Sequence, residues 1–237
     1  MKAKILEIFR SIQGEGAYAG TKQIFVRFYE CNMFCDWCDT PHSIGEKAKA
    51  KLGNVTPRYK EYTIDDVICA IDDLWDNCHS ISVTGGEPLV QADFIAELLP
   101  RLKDKKYPVH LETNGTLPDA LKKVLNNIDV ISMDLKLPSS TKTNDFWDEH
   151  AAFLKVAGTS EIFIKAVITN DTTEDDVLKA ATIVEQVNPN ILFIIQPNSY
   201  ELKEGIVGKC VDLEQKVSQK LHNVRVMPQM HKMLKVR

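Results

Sequence analysis

The feature that most constrains this chain is an alternation. Short, apolar, β-branched stretches recur along it, with amphipathic segments between them. The strand candidates are Gln23–Tyr29, Ser80–Thr84, Val109–Glu112, Asp129–Met133, Ile162–Ile168 and Ile191–Gln196. Several are too evenly apolar for a sheet with one wet face, and they read as buried parallel strands. The best helix candidate is Thr63–Asp76, where Ile64, Val67, Ile68, Ile71, Leu74 and Trp75 share one face. Thr63 and Asp66 resemble a capping box, and Asp65 adds negative charge at the positive end of the helix. Thr173–Val187 repeats that logic. This reads the acidic run Asn170–Asp176 as a helix start, because it lacks the glycine and glutamate spacing of a calcium loop. Ala92–Leu99, Leu117–Leu125 and Lys209–Leu221 are further helices, the first expected to stop at Pro100.

Strands alternating with helices imply a parallel sheet with right-handed crossovers. Six strands are too few for a closed eight-stranded barrel. The expected fold class is therefore α/β, a partial, open TIM-type barrel of about six parallel strands. A chain of 237 residues fits that architecture as one domain, 1–237. Gly45–Tyr62 is polar, lysine-rich and weakly patterned, and reads as a solvated insertion near 43–62. In such folds chemistry gathers at the C-terminal ends of the strands. The unusual residues fall there: Cys31, Gly85-Gly86-Glu87-Pro88, Thr113-Asn114-Gly115, Asp134 to Lys136 and Pro197-Asn198-Ser199.

The formal charge of −4 gives no global attraction to nucleic acid or to an anionic membrane, and neither is expected as a partner. No apolar run approaches the ~20 residues that span a bilayer. The start of the chain lacks the continuous apolar core of a secretory signal, since Glu7 and Arg10 interrupt it. The expected location is the cytoplasm, where six cysteines read as metal ligands, catalytic thiols or core residues rather than disulfides.

Three of those cysteines are spaced Cys31-x3-Cys35-x2-Cys38. Thiolates so close in sequence suit zinc or an iron–sulfur cluster. Zinc would take His42 as a fourth ligand. An electron-transfer cluster would need a fourth cysteine, and Cys69, Cys78 and Cys210 read as structural instead. Three ligands on a four-iron cluster leave one iron open to bind and activate a small molecule. Phe34 and Trp37 interleave the thiols as shielding or as packing.

The cysteine spacing, with Trp37 before its last member and Gly85-Gly86-Glu87-Pro88 after the next strand, resembles the radical S-adenosylmethionine superfamily. Ser11-Ile12-Gln13-Gly14-Glu15-Gly16, Val26-Arg27-Phe28, Cys38-Asp39-Thr40-Pro41 and Gln229-Met230-His231-Lys232 narrow the resemblance to the 7-carboxy-7-deazaguanine synthase family. The resemblance implies conversion of 6-carboxy-5,6,7,8-tetrahydropterin to 7-carboxy-7-deazaguanine with loss of ammonia, in the pathway to the 7-deazapurine nucleosides of tRNA. It implies a [4Fe-4S] cluster on Cys31, Cys35 and Cys38, S-adenosylmethionine, and Mg²⁺ on Thr40. Trp37, Cys38, Asp39, Gly86, Glu87, Ser132, Asp134, Lys136 and Gln196 would bind S-adenosylmethionine. Ile12, Gln13, Gly14, Arg27, Thr84 and Arg237 would bind the pterin, with Arg27 clamping its carboxylate. A reductant such as flavodoxin or ferredoxin and a homodimer are also implied.

Two other readings stand beside it. Ser132-Met133-Asp134-Leu135-Lys136 follows the Asp-x-Lys pattern of glycyl-radical enzyme activases, whose substrate is a protein loop. A zinc or electron-transfer module without catalysis is the other.

Overall fold

The computed structural model describes residues 1–40 and 59–236. Its centre is one sheet of strands β1 (Lys2–Ile12), β2 (Lys22–Phe28), β3 (Lys60–Thr63), β4 (Ser80–Gly85), β5 (Val109–Thr113), β6 (Val130–Asp134), β7 (Ile162–Ile168), β8 (Leu192–Pro197) and β9 (Val224–Val226). The order across the sheet is β3-β1-β2-β4-β5-β6-β7-β8-β9. From β2 through β9 every neighbouring pair is parallel, while β1 lies antiparallel to both β2 and β3. The order does not return on itself, so the barrel is open, as expected.

Around it stand helices α1 (Ile64–Leu74), α2 (Ala92–Asp104), α3 (Pro118–Val124), α4 (Pro138–Thr141), α5 (Trp147–Ala157), α6 (Glu174–Glu185), α7 (Ile206–Val217) and α8 (Met230–Leu234). None of the described helices is long and apolar enough to cross a membrane.

The strands are not apolar on both faces, and this corrects the reading from composition. Ile24, Val26 and Phe28 of β2, Ile81 and Val83 of β4, Val109 and Leu111 of β5, and Ile131 and Met133 of β6 join the core shared with the helices. Their alternating neighbours turn inward. Near the N-terminal ends the inward face is apolar on β6, β7 and β8, with Val130, Phe163 and Ile194 packed on Tyr18, Leu192 and Met227, while β2, β4 and β5 turn Gln23, Ser80 and His110 inward. Toward the C-terminal ends it becomes polar. The period-2 alternation puts chemistry on one face of the strands whose other face builds the core.

Several elements depart from the sequence reading. Pro100 sits inside α2 rather than ending it. An interior proline costs about 3 kcal/mol, but Leu98, Leu99 and Leu102 are almost wholly buried around it. Each such side chain contributes roughly 1.5–3 kcal/mol, so packing carries the helix through. Lys60–Tyr62, read as the end of the insertion, pairs with β1 as an edge strand; residues 45–58 of that insertion and His42 lie outside the described residues. The long β1 and the helix α5 were not expected at all.

At the start of α1 the reading holds. The Thr63 hydroxyl accepts from Asp66 N–H (3.2 Å), and the Asp66 carboxylate accepts from Thr63 N–H (2.8 Å). Thr173 caps α6 by the hydroxyl bond alone, accepting from Asp176 N–H at 3.3 Å, while its own N–H donates to Ser139 Oγ. Cys78 and Cys210 are buried in the core as expected, whereas Cys69 is exposed on α1.

Candidate active site

A cavity of about 610 Å³ opens at the C-terminal ends of the strands. Sheet register arranges its wall. Arg27 lies opposite Thr84, Glu112 opposite Ser132, Asp134 opposite Lys165 and Val167 opposite Gln196. The loop after β2 adds Cys31, Cys35, Trp37, Cys38, Asp39 and Thr40, and the loop after β1 adds Gln13, Gly14 and Glu15. Ile12, Gly86 and Lys136 complete the set. Of the site residues read from sequence, the cavity thus gathers all but two. Glu87 lies behind its wall, and Arg237 is outside the described residues.

The three cysteine side chains line this cavity. Burial pushes the Cys31 thiol up to about 12, and burial raises Cys38 too. A bound metal reverses that preference, because a coordinating thiol is deprotonated. Cys31 Sγ already accepts a hydrogen bond from Met33 N–H (3.4 Å). Asn32, next to it, is held by Asn114 and Thr116, so the end of β5 braces the cysteine loop. His150 of α5 faces the Asn114 carbonyl from behind at 3.1 Å.

Trp37 Nε1–H donates to Ser140 Oγ (2.9 Å), and Lys136 Nζ stands 4.6 Å from the centre of its ring. Lys136 also pairs with Asp134 at 2.8 Å. The other Asp134 oxygen, Oδ1, and Gln196 Oε1 are buried without a partner among the described residues. Two orphaned acceptors facing one cavity are costly unless a ligand brings donors. The amine and hydroxyl groups of S-adenosylmethionine are such donors, so the residues present fit that cofactor, as the three thiols fit a cluster.

Glu87 is fully buried, and its carboxylate accepts from Leu89 N–H (3.0 Å), Thr113 Oγ1–H (2.9 Å) and Asn114 N–H (2.6 Å). Burial, against those donors, lifts it to about 7. It ties the Gly85–Gly86 turn to β5. Gly85 has φ +150°, and a Cβ there would come within 2.2 Å of the Phe28 carbonyl oxygen. Only glycine allows β4 to end so close to β2.

Deeper, the Glu112 carboxylate accepts from Gln13 Nε2 (2.8 Å), Ser82 Oγ (2.7 Å) and Thr84 Oγ1 (3.0 Å). Burial pushes it up, but His110, Lys165 and the bonds from Ser82 and Gln13 outweigh burial and hold it ionised. Arg27 Nε–H donates to Glu7 Oε1 at 2.9 Å, while its guanidinium lies 5.7 Å from the Phe9 ring centre.

At the rim, Lys165 pairs with Glu15 and stands 3.5 Å from Asp134. Glu15 also accepts from Gln229. Burial raises Glu15, yet Lys165 and Gln229 bring it down to about 2. Met230 N–H donates to the Gly14 carbonyl at 2.8 Å, and the His231 ring fills the space where a Gly14 side chain would be. The donor atoms of Glu15, Asp39 and His231 lie within 4.8 Å of one another. Glu15 is already committed to Lys165, and Lys232 stands 3.8 Å from Asp39.

Sequence reasoning passed over Glu112, Lys165 and Glu15 as site residues. Glu112, next to the end of β5, and Lys165, in the middle of β7, had one readable signal, a charge in an otherwise apolar strand, whereas Glu15 lies in the loop after β1.

A family model described as the radical SAM superfamily matches residues 25–181. A 7-carboxy-7-deazaguanine synthase of Geobacter sulfurreducens is 36% identical over 98% of this chain and 97% of its own length. One from Archaeoglobus fulgidus is 34% identical over the whole of both chains. The crystal structure of QueE from Escherichia coli superimposes with a TM-score of 0.65 over 98% of this chain and 95% of that one, at 20% identity, a likeness of fold.

Proposed function

Because the chain belongs to the radical SAM superfamily and, within it, to the 7-carboxy-7-deazaguanine synthases, we propose that it converts 6-carboxy-5,6,7,8-tetrahydropterin to 7-carboxy-7-deazaguanine with loss of ammonia, as a single domain spanning 1–237. The observation that supports this reading best is the meeting, in one cavity, of the three-cysteine loop with Arg27, Thr84 and an ionised Glu112. Membership in this family leaves the activase and the simple metal module without support.

When bound, the cluster and S-adenosylmethionine supply the 5′-deoxyadenosyl radical that begins the reaction. Cys31, Cys35 and Cys38 would hold the cluster. Asp134 Oδ1 and Gln196 Oε1 would accept from the amine and hydroxyl groups of the cofactor, with Trp37, Cys38, Asp39, Gly86, Ser132 and Lys136 around it. Glu87 keeps the Gly85–Gly86 turn in place for that contact.

On the substrate side, Ile12, Gln13, Gly14 and Thr84 form the wall. With its Nε–H given to Glu7, Arg27 has its Nη groups left for the pterin carboxylate, a planar fork on a planar acceptor. The amino-pyrimidinone edge of a pterin offers N–H donors, and Glu112 is the buried carboxylate able to accept them. Thr40 Oγ1, 4.0 Å from Cys38 Sγ, would give an oxygen ligand to Mg²⁺ beside the substrate carboxylate. A one-electron donor such as flavodoxin or ferredoxin and a homodimeric assembly complete the reading.

The test is anaerobic. The cluster is reconstituted and reduced, S-adenosylmethionine and Mg²⁺ are added, and the pterin is followed by mass. Appearance of 7-carboxy-7-deazaguanine is the expected result. Release of 5′-deoxyadenosine with the pterin untouched would refute the substrate and keep the radical chemistry.

A further inference from the structure

A run of buried side chains leads away from the cavity through the barrel interior, and the proposed reaction leaves its far end unused. His110 lies two residues before Glu112 on β5, so both side chains leave the same face of the strand. His110 Nδ1 is 3.1 Å from Gln23 Nε2. Gln23 Oε1 accepts from Gln13 Nε2 at 3.0 Å, and the same Gln13 nitrogen donates to Glu112 Oε1 at 2.8 Å. Gln13 Oε1 accepts from the backbone N–H of Glu15 at 3.1 Å. Gln13, Gln23 and His110 are at most 5% exposed.

Donor and acceptor accounting fixes every orientation along this run. A backbone N–H can only donate, and an ionised carboxylate can only accept. Gln13 must therefore turn Oε1 toward Glu15 and Nε2 toward Glu112. Its Nε2 then meets an acceptor on Gln23, which turns Gln23 Nε2 toward His110. The imidazole must accept at Nδ1, so its proton sits on Nε2. Nε2 is buried with no hydrogen-bond partner among the described residues, beside the rings of Tyr18 and Phe163 at centroid distances of 5.7 and 5.9 Å. An orphaned donor is a cost that an apolar residue here would avoid. The imidazole contributes one thing in exchange, the lone pair on Nδ1.

We propose that His110 is a positioning residue for the substrate: its Nδ1 lone pair anchors Gln23 and Gln13 and so fixes the direction in which Glu112 faces the pterin. Were His110 to present an N–H at Nδ1, Gln23 would have to turn over. Two amide NH₂ groups would then oppose each other, and Gln13 would lose Gln23 or Glu112. Burial keeps the ring neutral, its pKa pushed down to about 4. The identity of the ligand rests on the function proposed above; the wiring does not.

Two measurements test it on the full-length holoenzyme. Long-range proton–nitrogen spectra of ¹⁵N-histidine-labelled protein, with the His110 signal identified by its loss in His110→Asn, should show the neutral form protonated at Nε2. A proton on Nδ1 overturns the proposal whether or not any pterin is consumed. Kinetics then compare His110→Phe, which keeps a ring and loses the acceptor, with His110→Asn, whose amide oxygen can replace Nδ1. The KM for the pterin should rise about tenfold in His110→Phe, the cost of one buried hydrogen bond, with kcat changing less. It should return most of the way in His110→Asn, and substrate-independent release of 5′-deoxyadenosine should be equal in all three proteins. An unchanged KM in His110→Phe, or equal losses in both variants, overturns it. If the wild type releases 5′-deoxyadenosine and ignores the pterin, the substrate reading has failed, and the spectra alone decide the role of His110.

Discussion

Cys35 and Cys69 are the same residue type in different positions: one lines the cavity, the other is exposed on α1. Cys35→Ala should abolish turnover and most of the iron and acid-labile sulfide after reconstitution, and Cys69→Ala should change neither. Full turnover in the Cys35 variant would sink the cluster assignment. Arg27 makes a sharper case, because lysine keeps its charge and loses its fork. Arg27→Lys should raise the KM for the pterin by about 10–100-fold, the value of a charge-assisted pair, while leaving substrate-independent 5′-deoxyadenosine release alone. A loss of that release instead would place Arg27 on the cofactor side. At this scale the cysteines, the glycine pair and Arg27 were legible, because their spacing is itself the signal. Glu112 and Lys165 were hidden: each needs the neighbouring strands in register beside it before a charge in an apolar strand becomes a wall residue rather than an anomaly.

The elements that sequence revealed were those with one strong period. The six core strands and α1 were found because a helix shell demands near-continuous apolar faces. β1 was missed because it is an antiparallel strand with mixed burial along its length. α5 was missed although Trp147, His150, Phe153, Leu154 and Ala157 share its buried face and Gly158 follows its end; a histidine in that stripe broke the apolar pattern. The insertion was placed by composition alone, which cannot tell an edge strand such as Lys60–Thr63 from a loop. Contacts between elements can be tested at Gly14, where a Cβ would lie 2.1 Å from His231 Nδ1. Gly14→Ala should unseat α8 and speed tryptic cleavage at Lys232 and Lys235, with the melting temperature little changed. Equal cleavage in both proteins would mean that α8 does not depend on this contact.

For the whole molecule, the Glu15–Lys165 pair joins the loop after β1 to β7. Glu15 is held at about 2 against an ordinary 4.5. A carboxyl lowered on folding contributes stability above its unfolded value and loses it as the pH falls through the folded one. That window, about pH 4.5 to 2, should therefore show a steep acid limb worth about 3 kcal/mol. In Glu15→Gln, urea midpoints measured across the window should fall less steeply; the same slope in both proteins would remove Glu15 from the account. The pair has a neighbour of a different kind, the bonds from Gln229 and Met230 to Glu15 and Gly14. They make residues near 230 a roof over a chamber whose walls come from residues 7 to 200. Ribosomes deliver a chain in order, so those walls can assemble while their roof is still in the exit tunnel. A newborn molecule thus has an unroofed interval, during which a bulky inorganic guest has its widest doorway.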